Sequence, residues 1–384
     1  MNMILFFLTF FFLYGGMHLY FFSRLKSAIP FDAATGVCVV LLLGVMLLAP
    51  FFVRILEGYG LERAARFMAY TGYFWMGLLF IFFAVSLIYD CYRFMGYLVH
   101  FIPSIGISFV GLPPLFVFGF PLLIAMGVNT YGYFEAKNPQ IEKITIETAR
   151  MPDHIDKIRM VQISDVHIGI IMRDQRLRGI VDAIKKADPD ILVSTGDLLD
   201  GQMNNLSEPE ALFKSIQPRY GKFAVTGNHE FYAGLYEAVD FMKRSGFTVL
   251  RGEGTDVGDL MTIIGVDDPA GRRFGLSREI SESRLLSSFP RSRFTLLLKH
   301  QPVVDASTFG LFDLQLSGHT HKGQIFPFNV ITRLFFPRHA GYFQLPMGSR
   351  LYVSRGTGTW GPPIRFLAQP EITVIELVHK AYNR

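Results

Sequence analysis

The chain reads as two folds in series: an all-α membrane bundle of four spans, then an α/β domain. Three observations predict this. The 384 residues are 50% hydrophobic with 38 Phe and a mean hydropathy of +0.31, and the apolar excess lies in residues 1–136, which carry six Lys/Arg and five Asp/Glu. From about 139 the texture changes to short β-rich runs alternating with amphipathic stretches. Finally, polar and histidine-bearing motifs fall just past those runs, where α/β sheets place their sites. The domains are therefore expected at 1–136 and 137–384.

Four stretches have the roughly 20 apolar residues that a membrane crossing needs: 3–22, 35–53, 70–90 and 113–134. Pro113 and Pro114 suit the first turn of the last helix. A cleaved signal peptide is the competing reading of 3–22, but a basic leader is missing and three further spans follow. Residues 94–110, interrupted by His100 and Pro103, read as an interfacial or re-entrant stretch. An even number of spans puts the amino terminus and residues 137–384 on one side. Arg24, Lys26 and Arg93 lie in the first and third loops, against Arg54, Arg63 and Arg66 in the second and Lys137 and Lys143 after the last span. That tally tips narrowly toward a cytoplasmic domain at a cell inner membrane. The net charge of +5 is unclustered, which gives no footprint for nucleic acid. Cys38 and Cys91 offer no disulfide framework.

In the second part, QIEKITIET alternates like a strand, and IRMVQIS (158–164) and DILVSTG (190–196) read as buried strands. An amphipathic helix is expected between them at 174–187. Further strands are expected in 222–227, 247–252, 260–266, 293–300 and 313–319, with helices near 208–216, 232–245 and 278–288.

The motifs follow the strands. Asp165 and His167 stand in SDVHIG, Asp197 and Asp200 in GDLLDG, and Asn228, His229 and Glu230 in GNHE. His300 stands in KHQP, and His319 and His321 in GHTH. Each has an ordinary explanation: DxH is common, GDxxD fits a turn, GNHE can start a helix, and a lone histidine is more often a satisfied core residue. Five such elements in order, holding half of the ten histidines, are hard to produce by accident. The chemistry of phosphate ester hydrolysis asks for these types. Two cations about 3.5–4 Å apart can generate a bridging hydroxide and relieve charge on attacking and leaving oxygens.

The ordered set DxH, GDxxD, GNHE, lone His and GHxH resembles the calcineurin-like metallophosphoesterase superfamily, over residues 158–323. The resemblance implies two β-sheets packed face to face and flanked by helices, with two divalent metals at one edge. It places Asp165, His167 and His321 on one metal, Asn228, His300 and His319 on the other, and Asp197 between them. His229 would be the general acid near the leaving group, oriented by Asp200. Carboxylate, amide and imidazole donors without thiolate suit Mn, Fe or Zn. Within the superfamily, GHTHKGQIFP and SRGTGTWGPPIRFLAQPEITVIEL look like the membrane-anchored bacterial branch, grouped with the transmembrane protein with metallophosphoesterase domain. Relatives there usually carry Gly where Lys322 stands, and some related enzymes are associated with the pyrophosphate of UDP-2,3-diacylglucosamine in lipid A synthesis.

Residues 325–346 interleave aromatics with Arg333, Arg338 and His339. They read either as a headgroup-level segment guiding a lipid phosphate, with Arg333 and Arg338 binding substrate, or as a buried hairpin. The expectation is thus a membrane phosphodiesterase or pyrophosphatase acting on a phosphorylated, lipid-linked substrate by hydroxide attack. The alternative is a membrane-bound sensor that binds metal or nucleotide without turnover, although such domains commonly lose a ligand or His229. A transporter ranks last, because the spans hold few ionisable groups besides His18.

Overall fold

The computed structural model describes residues 3–100, 111–201 and 205–380. By compactness the chain divides into a helical unit, Met1–Phe134 with Gly361–Ile364, and a second unit, Glu135–Trp360 with Arg365–Arg384.

The helical unit holds α1 (Met3–Ala28), α2 (Ala33–Gly58), α3 (Glu62–His100) and α4 (Pro114–Glu135). Among the described residues, α2, α3 and α4 are long and apolar enough to cross a membrane. Residues 94–100, the first part of the stretch read as interfacial or re-entrant, continue α3, in which no proline occurs between Glu62 and His100. Residues 101–110 lie outside the described residues. Aromatic packing joins three of the helices: the Phe21 ring meets Trp75 at 5.2 Å, Phe82 at 4.9 Å and Phe118 at 5.4 Å. His18 is fully satisfied there, with Nδ1 2.7 Å from the Tyr14 carbonyl and Nε2 accepting from Trp75 at 2.9 Å.

The second unit is built on two six-stranded sheets. Its strands are β1 (Gln140–Thr148), β2 (Lys157–Ile163), β3 (Ile191–Ser194), β4 (Lys222–Ala224), β5 (Phe247–Val249) and β6 (Glu253–Val257). They continue with β7 (Met261–Gly265), β8 (Phe294–Leu298), β9 (Leu314–Ser317), β10 (Gly341–Gln344), β11 (Arg350–Val353) and β12 (Glu371–His379). One sheet runs β1-β12-β2-β3-β4-β5 and the other β10-β11-β9-β8-β7-β6. β2, β3, β4 and β5 are mutually parallel, as are β7, β8, β9 and β11.

The period of two along each strand sorts side chains into layers. Met160, Val193 and Phe223 of the first sheet meet Ile263, Leu296 and Leu316 of the second in a shared core. Val161, Ile163 and Leu192 point the other way, onto Leu177, Ile180 and Ile184 of helix Asp174–Ala187. Leu297 and Val353 cover the far face of the second sheet with Leu286 and Phe312. Gln162 is the polar link between layers: its amide donates to Thr195 Oγ1 at 2.9 Å and to the Ser317 carbonyl at 3.0 Å. The carboxyl ends of β2, β3 and β4 thereby stand beside those of β8 and β9.

Candidate metal centre

Five loops leave those strand ends, and each delivers chemistry within a few residues: Asp165 and His167 after β2, Asp197 and Asp200 after β3, Asn228 and His229 after β4, His300 after β8, and His319 and His321 after β9. The chain turns sharply to do so. Asp165, His167, Asp197, His319 and His321 all sit at left-handed φ values between 48° and 73°. A non-glycine residue adopts that region only where its surroundings impose it, and such residues cluster at functional sites.

The donor atoms fall into two groups. Asp165, His167 and His321 converge, with His167 Nε2 and His321 Nε2 3.1 Å apart and His321 Nε2 3.3 Å from Asp165 Oδ1. Asp197, His300 and His319 form the other group, joined by Asn228, whose Oδ1 lies 2.9 Å from His319 Nδ1 and 3.2 Å from His300 Nε2. Asp197 Oδ2 stands 3.2 Å from His300 Nε2 and 3.8 Å from His167 Nε2, so this one carboxylate faces both groups. Oxygen and imidazole donors packed this closely, without thiolate, fit hard-to-borderline divalent cations. His300 Nδ1 lies 2.8 Å from the Thr195 carbonyl, a bond that uses its N–H and leaves the Nε2 lone pair for a cation. His229 also approaches His167 and Asp197, but its Nδ1 takes Asp200 Oδ1 at 3.0 Å and its ring stands at 84° to that of His167.

Close packing holds these loops. A Cβ on Gly318 would lie 1.8 Å from Ser164 Oγ and 2.3 Å from Asp165 Oδ2, so only glycine lets the loop after β9 approach Asp165. That approach lets the His319 amide donate to both Asp165 oxygens at 3.0 Å. Two buried ionisable residues to which the sequence assigns no role complete the frame, Glu230 of the GNHE motif and Arg365. Glu230 accepts backbone N–H bonds from Asp197 and Gly227 on one oxygen and from Leu199 on the other, at 2.7–3.1 Å. The signal for it was a Glu three residues after a helix-starting Gly227. Arg365 is completely buried and donates to the carbonyls of His321, Arg355, Ala368 and Gly358, with Nη2 3.0 Å from His321 Nδ1. Nothing in the sequence around Arg365 announces that role.

The electrostatics follow the geometry. Burial opposes the charge of Asp165, Asp197 and Asp200, yet the facing histidines outweigh it and hold all three carboxyls well below the usual range. His319 and His321 are pushed down to about 4, first by burial and then, at His319, by the charge of His300. They are neutral at pH 7, the form that offers a lone pair. Burial also works against the charge of His229, but Asp197 and Asp200 raise it to about 9.

Arg333 and Arg338 stand outside this cluster. Arg333 lies exposed on helix Phe328–Phe335 and Arg338 just beyond it. The buried-hairpin reading of 325–346 is corrected: the segment forms that helix and β10, and leaves Val330, Ile331, Leu334 and Phe335 exposed. The segment touches the cluster through Phe336, whose ring lies 5.2 Å from that of His319, and through Thr320 Oγ1, which donates to the His339 carbonyl at 2.5 Å.

The calcineurin-like phosphoesterase family matches the chain over residues 158–323. A metallophosphoesterase of Aquifex aeolicus is 38% identical over 260 residues, 67% of this chain and 99% of that one. One from Helicobacter pylori (strain J99) is 30% identical over 306 residues, covering 78% of this chain and 80% of its own. The transmembrane protein with metallophosphoesterase domain of Danio rerio is 29% identical over 270 residues, 67% of this chain and 61% of its own. With five motif loops gathered at one edge of two stacked sheets and relatives of this identity, the chain belongs to the calcineurin-like metallophosphoesterases, as a metal-dependent phosphoester hydrolase.

Proposed function

We propose that the protein is a membrane-bound dinuclear hydrolase that cleaves a phosphoester or pyrophosphate bond of a lipid-linked substrate. The observation that carries the reading is Asp197, whose Oδ2 lies within 3.8 Å of imidazole nitrogens from both donor groups. In this reading Asp165, His167 and His321 hold one cation, Asn228, His300 and His319 the other, and Asp197 both. The donor set suits Mn, Fe or Zn. When bound, two such ions supply a nucleophilic water at neutral pH and relieve charge on the phosphoryl oxygens. Asp200 fixes His229 with the Nδ1 proton toward itself, which leaves Nε2–H to protonate the departing oxygen.

The lipid-linked part rests on helix Phe328–Phe335. Its exposed Leu334 and Phe335, both above 75% accessible, stand beside Arg333, a pairing suited to the headgroup level of a bilayer. A substrate of the UDP-2,3-diacylglucosamine type satisfies both demands. The helical unit is read as a four-span anchor in which α1 is the first span, with the domain on the cytoplasmic face of the inner membrane.

The test is hydrolysis of bis(p-nitrophenyl) phosphate by the full-length protein in detergent, with Mn, Fe or Zn. Activity in the wild type and its loss in Asp197→Asn support the enzyme; a wild type inert with all three metals favours the sensor. For the lipid arm, Leu334→Ser with Phe335→Ser lowers turnover of a long-chain lipid phosphoester and spares the soluble ester. Undiminished lipid turnover overturns that arm. Phe336 is left alone because it packs on His319.

A further inference from the structure

Two adjacent aspartates follow β7, whose end lies beside that of β8, and only one of them is spent on the fold. Asp267 is locked. Its Oδ1 accepts from Thr226 Oγ1 at 3.0 Å and from Arg251 Nε at 2.8 Å. Its Oδ2 accepts from Arg251 Nη2 at 2.8 Å and from the Arg278 amide at 2.9 Å. Asp268 is 1% exposed, and its Oδ1 accepts from the Ala270 amide at 2.8 Å and from Gln301 Nε2 at 3.3 Å. Its Oδ2 is buried with no hydrogen-bond partner among the described residues. A buried acceptor left over in this way is costly, and a native chain keeps one where something bound satisfies it.

The neighbours of Asp268 flank the donor group of Asn228, His300 and His319. Gln301 follows His300, and Thr226, whose Oγ1 meets the Asp268 amide at 3.4 Å, precedes Asn228 by two residues. The charges of His300 and Asp268 act on one another. Yet Asp268 is not among the carboxylates and imidazoles whose donor atoms converge within 4.8 Å. An acceptor so placed reaches a cation through one of that cation's ligands. The two donor groups also differ in charge. One has the carboxylate of Asp165 to itself, whereas the other shares Asp197 and otherwise offers an amide and imidazoles. Asp268 supplies the missing carboxylate at one remove.

We infer that Asp268 is a positioning residue for the cation of Asn228, His300 and His319, its Oδ2 accepting a hydrogen bond from a water that completes the shell of that cation. The inference rests on the dinuclear reading above. A carboxylate behind a ligand fixes the ligand's orientation and makes it the better donor to metal, and its loss weakens metal binding. The four bonds to Asp267 hold the loop after β7 still, so that Asp268 presents its free oxygen from a fixed place.

The experiment reads metal binding without turnover, by titrating Mn into the metal-free full-length protein in detergent. Asp268→Asn keeps an oxygen for Ala270 and Gln301 and puts an N–H donor where Oδ2 stood. Should that variant fail to fold, Asp268→Ser, whose hydroxyl still accepts from Ala270, takes its place. The inference predicts that one of two ions binds about 10–100-fold more weakly and that the other is unchanged. It also predicts that Asp268→Asn adds nothing in an Asn228→Ala background, where the same ion is already weakened. Wild-type affinity for both ions in Asp268→Asn overturns the inference, including the case in which only KM rises, which would make Asp268 a substrate contact. Equal weakening of both ions, or a further loss in the Asn228→Ala background, assigns Asp268 to the fold and overturns it too. A wild type that binds a single ion refutes the dinuclear reading. The role of Asp268 then stands if Asp268→Asn and Asn228→Ala each weaken that ion without adding, and falls otherwise.

Discussion

Asp200 Oδ1 lies 3.0 Å from His229 Nδ1 and 3.5 Å from His167 Nδ1, so one carboxylate steers both the proposed acid and a proposed metal ligand. The two imidazoles differ in what their far nitrogens face. His167 Nε2 faces His321, whereas the His229 ring is bordered by the rings of Tyr232 and Trp360.

A general acid matters in proportion to how badly the leaving group needs a proton. His229→Ala should lower kcat about 10²–10⁴-fold for an alkyl leaving group and far less for p-nitrophenolate, with metal content unchanged. Equal losses across a leaving-group series would assign His229 to metal or substrate binding instead.

The same pair governs the alkaline limb of the pH profile. Asp197 and Asp200 raise His229 to about 9 against the effect of burial. The acid form is therefore present below that value, and activity falls as pH rises through it. In the proposed reading, cations held by Asp197 would withdraw part of that support, which places the limb in the loaded enzyme below pH 9. Asp200→Asn should move it further down, measured as kcat against pH on an alkyl ester.

Gly318→Ala places a methyl 2.3 Å from Asp165 Oδ2. The loop must retreat, and with it His319 and His321. Metal affinity should drop about 10–100-fold, the usual effect of disturbing groups behind the ligands. Titration calorimetry with Mn reads it, while circular dichroism stays native.

Arg365 is buried among four carbonyl groups, and burial pushes its guanidinium down to about 10, so it stays charged at neutral pH. Arg365→Met strands those acceptors at about 1–3 kcal/mol each, and the protein should lose at least about 3 kcal/mol by thermal or chemical unfolding. Arg365→Lys rescues little, since an ammonium cannot reproduce the planar fork. A Met variant within about 0.5 kcal/mol of wild type, the range of ordinary surface changes, contradicts this role.

Much of this was legible in residues 137–384 because their patterns are local. Leu177, Ile180, Val181 and Ile184 recur at helical spacing, and helix Asp174–Ala187 has the expected bounds. β8 and β9 announce themselves as short apolar runs ending in the motifs. β6 and β10 escaped notice because they are four or five residues long and largely uncovered by apolar partners. Their pairing with β7 and β11 is what makes them strands. β12 is nine residues of nearly continuous burial, yet it pairs with β1 and β2 from the far end of the chain, a contact that no local window contains. Charged residues read as solvated by default, so Glu230 and Arg365 gave no sign of burial. Helix Phe328–Phe335 was missed because Pro327 and Pro337 bracket a run with strand-like branched residues.

Whether Asp197 joins two cations is decided by counting metal in the purified full-length protein, wild type beside Asp197→Asn, by elemental analysis after loading with Mn. Two ions per chain in the wild type and at most one in the variant, with hydrolysis lost, is the expected result. One ion in the wild type, or two ions and undiminished turnover in the variant, contradicts it.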